Sequence, residues 1–165
     1  MTATSLPPGA AVLILGAGAT ACSALAAARE LGIAEVTVAA RDPARTTDLQ
    51  AAAGRLAIKI TLVPFGDPPD GSPDLLISTV PAGGANIYAQ RIAGGGLLPR
   101  TLLDVVYHPW PTQLAASAQQ RGVVVAGGFD LLLHQAALQV TLMTGLPAPL
   151  GPMRAAGLAV LASRG

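Results

Sequence analysis

Apolar residues along this chain come in short blocks, and stretches with helical character separate them. VLIL (12–15) is four apolar residues in a row, ends at a glycine, and leads into an alanine-rich stretch over about 19–31 that Gly32 closes. VTVAA (36–40), KITLVPF (59–65), LLISTV (75–80), LLDVVY (102–107) and VVVAG (123–127) repeat the first pattern, and each reads as a strand. Further helices are predicted from Asp42-Pro43 to about Gly54, then over 86–92, 112–121, 130–145 and 153–162. Asp42 suits an N-cap and Pro43 the first helical position. DPPDGSPD (67–74), GGG (94–96) and PAPLGP (147–152) are dense in turn formers. Strands alternating with helices at this spacing predict a parallel sheet covered on both faces. The unbroken apolar character of the strands agrees, because a strand buried on both sides need not alternate.

The expected fold is therefore α/β: a doubly wound, Rossmann-like parallel sheet of about six strands, with helices on both faces and an extra C-terminal helix. Residues 10–165 read as one domain, and 1–9 as a flexible N-terminal segment. Composition sharpens this only slightly. With 52% apolar and 12% charged residues the chain is built to pack, not to stay disordered. Phe65, Phe129, Tyr88, Tyr107 and Trp110 are the only aromatics, so the core must come from Ala, Val, Leu and Ile. A net charge of +1 gives no reason to expect nucleic acid or an anionic membrane. Cys22 is the one cysteine, which excludes a disulfide framework and a thiolate metal site. No signal peptide pattern opens the sequence, and no stretch reaches the 18 or so apolar residues of a membrane span, so a cytoplasmic location is expected.

The chemistry starts at Gly16-Ala17-Gly18-Ala19-Thr20-Ala21, which fits G-x-G-x-x-A directly after a strand and at the start of a helix. The first glycine permits a tight turn, the second lets backbone approach a pyrophosphate, and the small third residue lets helix and strand pack closely. The helix N-terminus offers N–H groups and positive potential to phosphates. The second strand of such a fold ends, in an enzyme that prefers NAD, with an acid for the ribose 2′-hydroxyl. Here it ends with Arg41, and Arg45 follows four residues later. A guanidinium matches a 2′-phosphate bidentately, which favours NADP(H) as cofactor. Two plainer readings compete: both arginines are solvated surface, or Asp42 faces the ribose and selects NAD.

LLDVVYHPWPTQLAASAQQRG and VVVAGGFDLLLHQAALQVTLMTG carry a resemblance. The first contains D-x-x-Y-x-P-x-x-T-x-L at Asp104, Tyr107, Pro109, Thr112 and Leu114. The second matches G-x-x-M-L-x-x-Q-A at Gly128, Leu132, Gln135 and Ala136. With the glycine loop and STVP (78–81), these motifs in this order resemble the shikimate dehydrogenase family over about residues 10–165. The sequence departs from the family where Leu131 replaces a methionine and where Ala40-Arg41-Asp42 replaces Asn-Arg-Thr. The resemblance implies reversible NADPH-dependent reduction of 3-dehydroshikimate to shikimate, a step of aromatic amino acid biosynthesis. It implies that Gly16, Gly18, Ala19, Thr20 and Ala21 form the pyrophosphate loop and that Arg41 and Arg45 take the 2′-phosphate. Thr79, Val80 and Val105 would lie by the nicotinamide ribose and amide, with Gly128 and Leu131 near the ring. Tyr107 and Gln135 would reach the substrate's carboxylate or hydroxyls.

The family's enzymes have two domains, and the N-terminal one binds most of the shikimate and supplies a catalytic lysine and aspartate. This chain is expected to lack that domain. Its one lysine, Lys59, opens a strand and matches no catalytic motif; His134 reads as a surface or packing residue and His108 as a loop residue. No catalytic residue is assigned. The chain is thus expected to hold the cofactor and one wall of the reaction site, inactive by itself. Shikimate or 3-dehydroshikimate would be its partner only with the other domain present, and quinate stays open as the substrate. The alternatives are a stand-alone NADP(H)-binding or sensing module, or a scaffold remnant. The apolar last helix predicts self-association, possible as a homodimer.

Overall fold

A computed structural model describes residues 6–7, 9–68 and 70–163. Six strands form one sheet: β1 (Val12–Leu15), β2 (Glu35–Ala40), β3 (Lys59–Pro64), β4 (Leu75–Ser78), β5 (Thr101–Asp104) and β6 (Val124–Gly127). All neighbours are parallel, in the order β3-β2-β1-β4-β5-β6. The chain winds outward from β1 to β3, then returns to lay β4 on the other side of β1. That reversal makes the β1–β4 boundary the topological switch point, where open parallel sheets bind ligands beyond the carboxyl ends of their strands.

Among the described residues six α-helices accompany the sheet: α1 (Ala19–Glu30), α2 (Thr47–Leu56), α3 (Asn86–Ala93), α4 (Gln113–Gln120), α5 (Gly128–Thr144) and α6 (Leu150–Ala162). Successive strand side chains point to opposite faces. Val12, Ile14, Val36 and Val38 accordingly join Leu25 and Ala28 of α1 and Leu49 and Ala53 of α2 in one cluster. Leu13, Leu15, Leu76 and Leu102 join Tyr88 and Ile92 of α3 and Leu114 and Ala118 of α4 in the other. Both faces of each central strand are buried, which is why VLIL contains no polar residue. Each fully buried leucine or isoleucine contributes about 1.5–3 kcal/mol of transfer free energy.

The predicted elements are all present, with shifted ends. The segment after Asp42 opens as a four-residue 3-10 turn, Pro43–Thr46, and α2 starts only at Thr47. The buried Thr46 hydroxyl donates to the Pro43 carbonyl at 2.6 Å and accepts from Gln50 Nε2 at 2.8 Å, local bonding that competes with a regular helix start. β4 and β5 end at Ser78 and Asp104, two and three residues earlier than their apolar runs suggest. α5 starts directly after β6 at Gly128, and α6 starts at Leu150. Of the 1–9 segment, residues 1–5 and 8 lie outside the described residues, while Leu6 packs against the first cluster. α5 and α6 pack against each other and leave much apolar surface exposed. No residue of α6 is buried, and Leu138, Leu142 and Met143 of α5 are 61%, 76% and 86% exposed. Among the described residues no helix is long and apolar enough to cross a membrane.

Candidate functional site

A cleft of about 500 Å³ opens at the switch point, and Gly16, Gly18, Arg41, Arg45, Thr79 and Val80 line it. Its floor is a backbone lock. The Gly16 N–H donates to the Ala39 carbonyl at 2.9 Å, and Gly16 has φ +101°. A Cβ on Gly16 would lie 2.7 Å from Thr79 Oγ1 and 3.1 Å from Val80 Cγ1, so only glycine fits. Thr79 donates to the last β1 carbonyl, that of Leu15, twice: from its N–H at 2.9 Å and its hydroxyl at 2.7 Å. The side chain of Thr79 therefore serves the lock, and Val80, buried behind it, supplies apolar wall.

Gly18 is the N-cap of α1 and offers no side chain to the first turn. A Cβ there would meet nothing within 4 Å, so the face above it is open. Ala19 and Thr20 follow, exposed, in the first turn. The first N–H groups of a helix lack intrahelical partners and attract anions. Ala21 is fully buried in the core with Leu25, and its small side chain seats α1 closely on the sheet.

Asp42, itself exposed on the cleft wall, accepts from the Ala44 N–H through Oδ1 at 2.9 Å. It is the cap that its place before Pro43 suggests. Arg41 and Arg45 are both exposed on the cleft wall. The three ion pairs among the described residues are Lys59–Glu35, Arg100–Asp74 and Arg154–Asp130, and they involve neither arginine. The cleft thus presents two guanidiniums without salt-bridge partners among the described residues. Arg45 also borders a second groove, of about 660 Å³, with Cys22, Asp48 and Arg55.

The residues from the second half are distributed more widely. Val105 leaves β5 with its N–H donating to the Ser78 carbonyl at 3.1 Å. Gly128 is buried against the backbone of Val105 and Val106, where a Cβ would come within 2.7 Å of the Val106 carbonyl carbon. Close packing at the β5–α5 junction alone accounts for that glycine. Leu131 (38% exposed) and the exposed Gln135 lie four residues apart, on one face of α5. Tyr107 lines a separate pocket of about 620 Å³, with Trp110, Phe129 and Arg154 among its other walls. His108 and His134 are exposed. Lys59 pairs with Glu35 at 3.2 Å at the amino ends of β3 and β2, the end of the sheet away from the cleft.

Two residues matter more than sequence reasoning assigns. Phe65 joins the cleft wall from one residue beyond β3. Asp104, 1% exposed, organises the loop that carries Tyr107. It accepts from the Thr112 hydroxyl at 2.6 Å and the Val106 N–H at 3.2 Å, and Thr112 in turn accepts from the Ala115 N–H at 3.0 Å as the cap of α4. Burial pushes the Asp104 carboxyl above its ordinary value, against the hydrogen bonds from Thr112, Val106 and Ser78 that favour its ionised form. The motif D-x-x-Y-x-P-x-x-T contains both partners of this bond, which is the signal that could reveal it.

A parallel sheet in this strand order, with a glycine loop locked at its switch point, defines a Rossmann-like domain. Comparison with known proteins narrows the class. The sequence profile of the family described as Shikimate 5′-dehydrogenase C-terminal domain matches residues 128–156. The Shikimate dehydrogenase (NADP(+)) of Geobacter metallireducens is 31% identical over 163 residues, covering 94% of this chain and 57% of that protein. The crystal structure of Mycobacterium tuberculosis shikimate dehydrogenase superposes with a TM-score of 0.78 at 37% identity, over 92% of this chain and 57% of that one. The Thermus thermophilus shikimate 5-dehydrogenase, solved in complex with NADP(H) and shikimate, gives 0.71 at 26% identity, over 93% and 56%. The chain belongs to the shikimate dehydrogenase family and corresponds to its C-terminal half. It spans a little over half the length of these relatives.

Gly16→Ala forces a side chain into the Thr79 contact at a positive φ. It destabilises the domain by about 1–3 kcal/mol in urea denaturation. Asp104→Ala leaves buried donors unsatisfied and costs about 1–3 kcal/mol by the same measurement. Because the folded-state pKa of Asp104 is raised, its contribution is complete at low pH and is lost as pH rises above the ordinary value of 3.8. The stability of wild type relative to Asp104→Asn should therefore fall as pH rises; a difference that stays flat contradicts this.

Proposed function

We propose that this chain is the nucleotide-holding half of a shikimate dehydrogenase: it binds NADP(H) and presents one wall of a reaction site to a second domain that binds shikimate. The observation that carries the reading is the switch-point cleft, with its locked glycine loop and two exposed arginines, while Asp42 is engaged as a cap. In this reading residues 10–165 form the cofactor domain, with the pyrophosphate on the first turn of α1 and the 2′-phosphate on Arg41 and Arg45. An acid at the end of β2 would accept from a ribose hydroxyl; a free guanidinium there suits the extra phosphate. The Geobacter metallireducens relative carries NADP(+) in its name, and the Thermus structure was solved with NADP(H).

The cofactor supplies a hydride to the substrate carbonyl when bound. The chain's own residues hold and orient. Thr79, Val80 and Val105 would frame the nicotinamide end, with Gly128 and Leu131 at the start of α5 beside it. Tyr107 and Gln135 would meet the substrate across the cleft, a hydroxyl and an amide well matched to a polyhydroxy acid. The acid that protonates the developing alkoxide would come from the other domain. The exposed leucines of α5 and α6 form the surface that such a domain covers. Lacking that cover, the isolated chain self-associates at high concentration, and a clean monomer by light scattering contradicts this.

The test is reconstitution. The purified chain, mixed with the separately produced shikimate-binding domain of a family member, should restore NADP-dependent oxidation of shikimate, with neither part active alone. A mixture that forms a complex, binds NADP and still shows no turnover would overturn the proposal.

A further inference from the structure

The wall of the cleft that no motif announces is aromatic. Phe65 stands one residue past β3, and its N–H donates to the Ala40 carbonyl at 3.1 Å, which stitches it to the strand that delivers Arg41. The next residue is anchored twice: the Gly66 N–H donates to Tyr88 Oη at 3.2 Å, and its carbonyl accepts from Arg91 Nη2 at 2.7 Å. Gly66 itself has φ +96°, and a Cβ would meet Ile87 at 3.0 Å, so this bend admits only glycine. Behind Phe65 lies the fully buried Tyr88, edge to face, with ring centroids 5.2 Å apart and planes at 76°. The Phe65 ring is therefore held on one side by the core, yet it is only half-buried and its remaining surface faces the cleft.

An anion site alone has no use for such a plate. A cleft with two guanidiniums on one wall and a rigid, partly bare aromatic ring beside them suits a ligand that joins a phosphate to a flat, apolar ring. Phe65 is the aromatic residue on this wall, and Tyr88 backs it from the core. We propose that Phe65, backed by Tyr88 and fixed through Gly66, is the base-recognising residue of the cleft, against which the purine of the bound dinucleotide lies. This rests on the nucleotide reading above and adds to it a specificity element separate from the arginines. Contact of this kind recognises the π-face and not the ring's hydrogen-bonding edge, so it accepts adenine and hypoxanthine alike.

The two contributions separate by ligand. Phe65→Ala weakens NADP and NAD by the same factor, about ten- to a hundredfold, because both carry the base. Arg41→Ala weakens NADP alone. Phe65→Leu, which keeps apolar bulk and lacks the ring, falls between wild type and Phe65→Ala. Calorimetry with both coenzymes and with adenosine 2′,5′-bisphosphate reads these differences. A second measurement needs no variant: the chain has only two phenylalanines, and Phe129 lies in the separate pocket beside Tyr107. With ring-labelled phenylalanine, nuclear Overhauser contacts from adenine H2 and H8 should reach Phe65 and not Phe129. If adenosine 2′,5′-bisphosphate binds and Arg41→Ala weakens it, while Phe65→Ala changes nothing or the ring contacts are missing, the assignment of Phe65 fails and the nucleotide site survives. If wild type binds neither coenzyme nor the bisphosphate, both fall.

Discussion

The cleft depends on a single carbonyl. Leu15 ends β1, and its oxygen takes both the N–H and the hydroxyl of Thr79, the first residue after β4. This double bond of contacts closes the seam where the sheet reverses direction and brings Thr79 so near to Gly16 that no Cβ can stand between them. Gly16 then has to turn with a positive φ, and the chain is aimed into α1 with Gly18 open at its cap. A helix N-terminus pointed at a cleft is a consequence of that seam. So is the position of Val80, which is carried past the sheet as the apolar wall behind the loop.

The cations of the site sit on the segment after β2, while the buried carboxyl of Asp104 lies in the other half of the sheet, at the end of β5. Asp42, exposed on the same wall, accepts from the Ala44 N–H and caps the turn that carries Arg45. Phe65 completes this wall from the neighbouring strand, so cationic and aromatic elements come from adjacent strand ends, β2 and β3.

Much of this was legible in the residues themselves. Strands such as VLIL could be read because both faces are buried, so every residue is apolar. Gly16 and Gly18 were readable because the turn leaves no alternative residue at the first. Strand ends were not: Val80 and Val105 are apolar because they line a wall or a junction, and hydrophobicity does not distinguish those places from a sheet. Phe65 reads as the last residue of a strand for the same reason. The 3-10 turn before α2 depends on the buried Thr46 hydroxyl, a tertiary circumstance. Tyr107 and Gln135 were identified by resemblance. The structure puts Tyr107 in its own pocket and Gln135 on the open face of α5.

The central claim is that the exposed guanidiniums beyond β2 select the coenzyme with the additional phosphate. Calorimetric titration of the wild-type chain and of the Arg41→Ala/Arg45→Ala double variant with NADP and NAD measures it directly. The account predicts a clear preference for NADP in the wild type that disappears in the double variant, with NAD affinity little changed. Equal affinity for the two coenzymes in the wild type, or a preference that survives loss of both arginines, would contradict it.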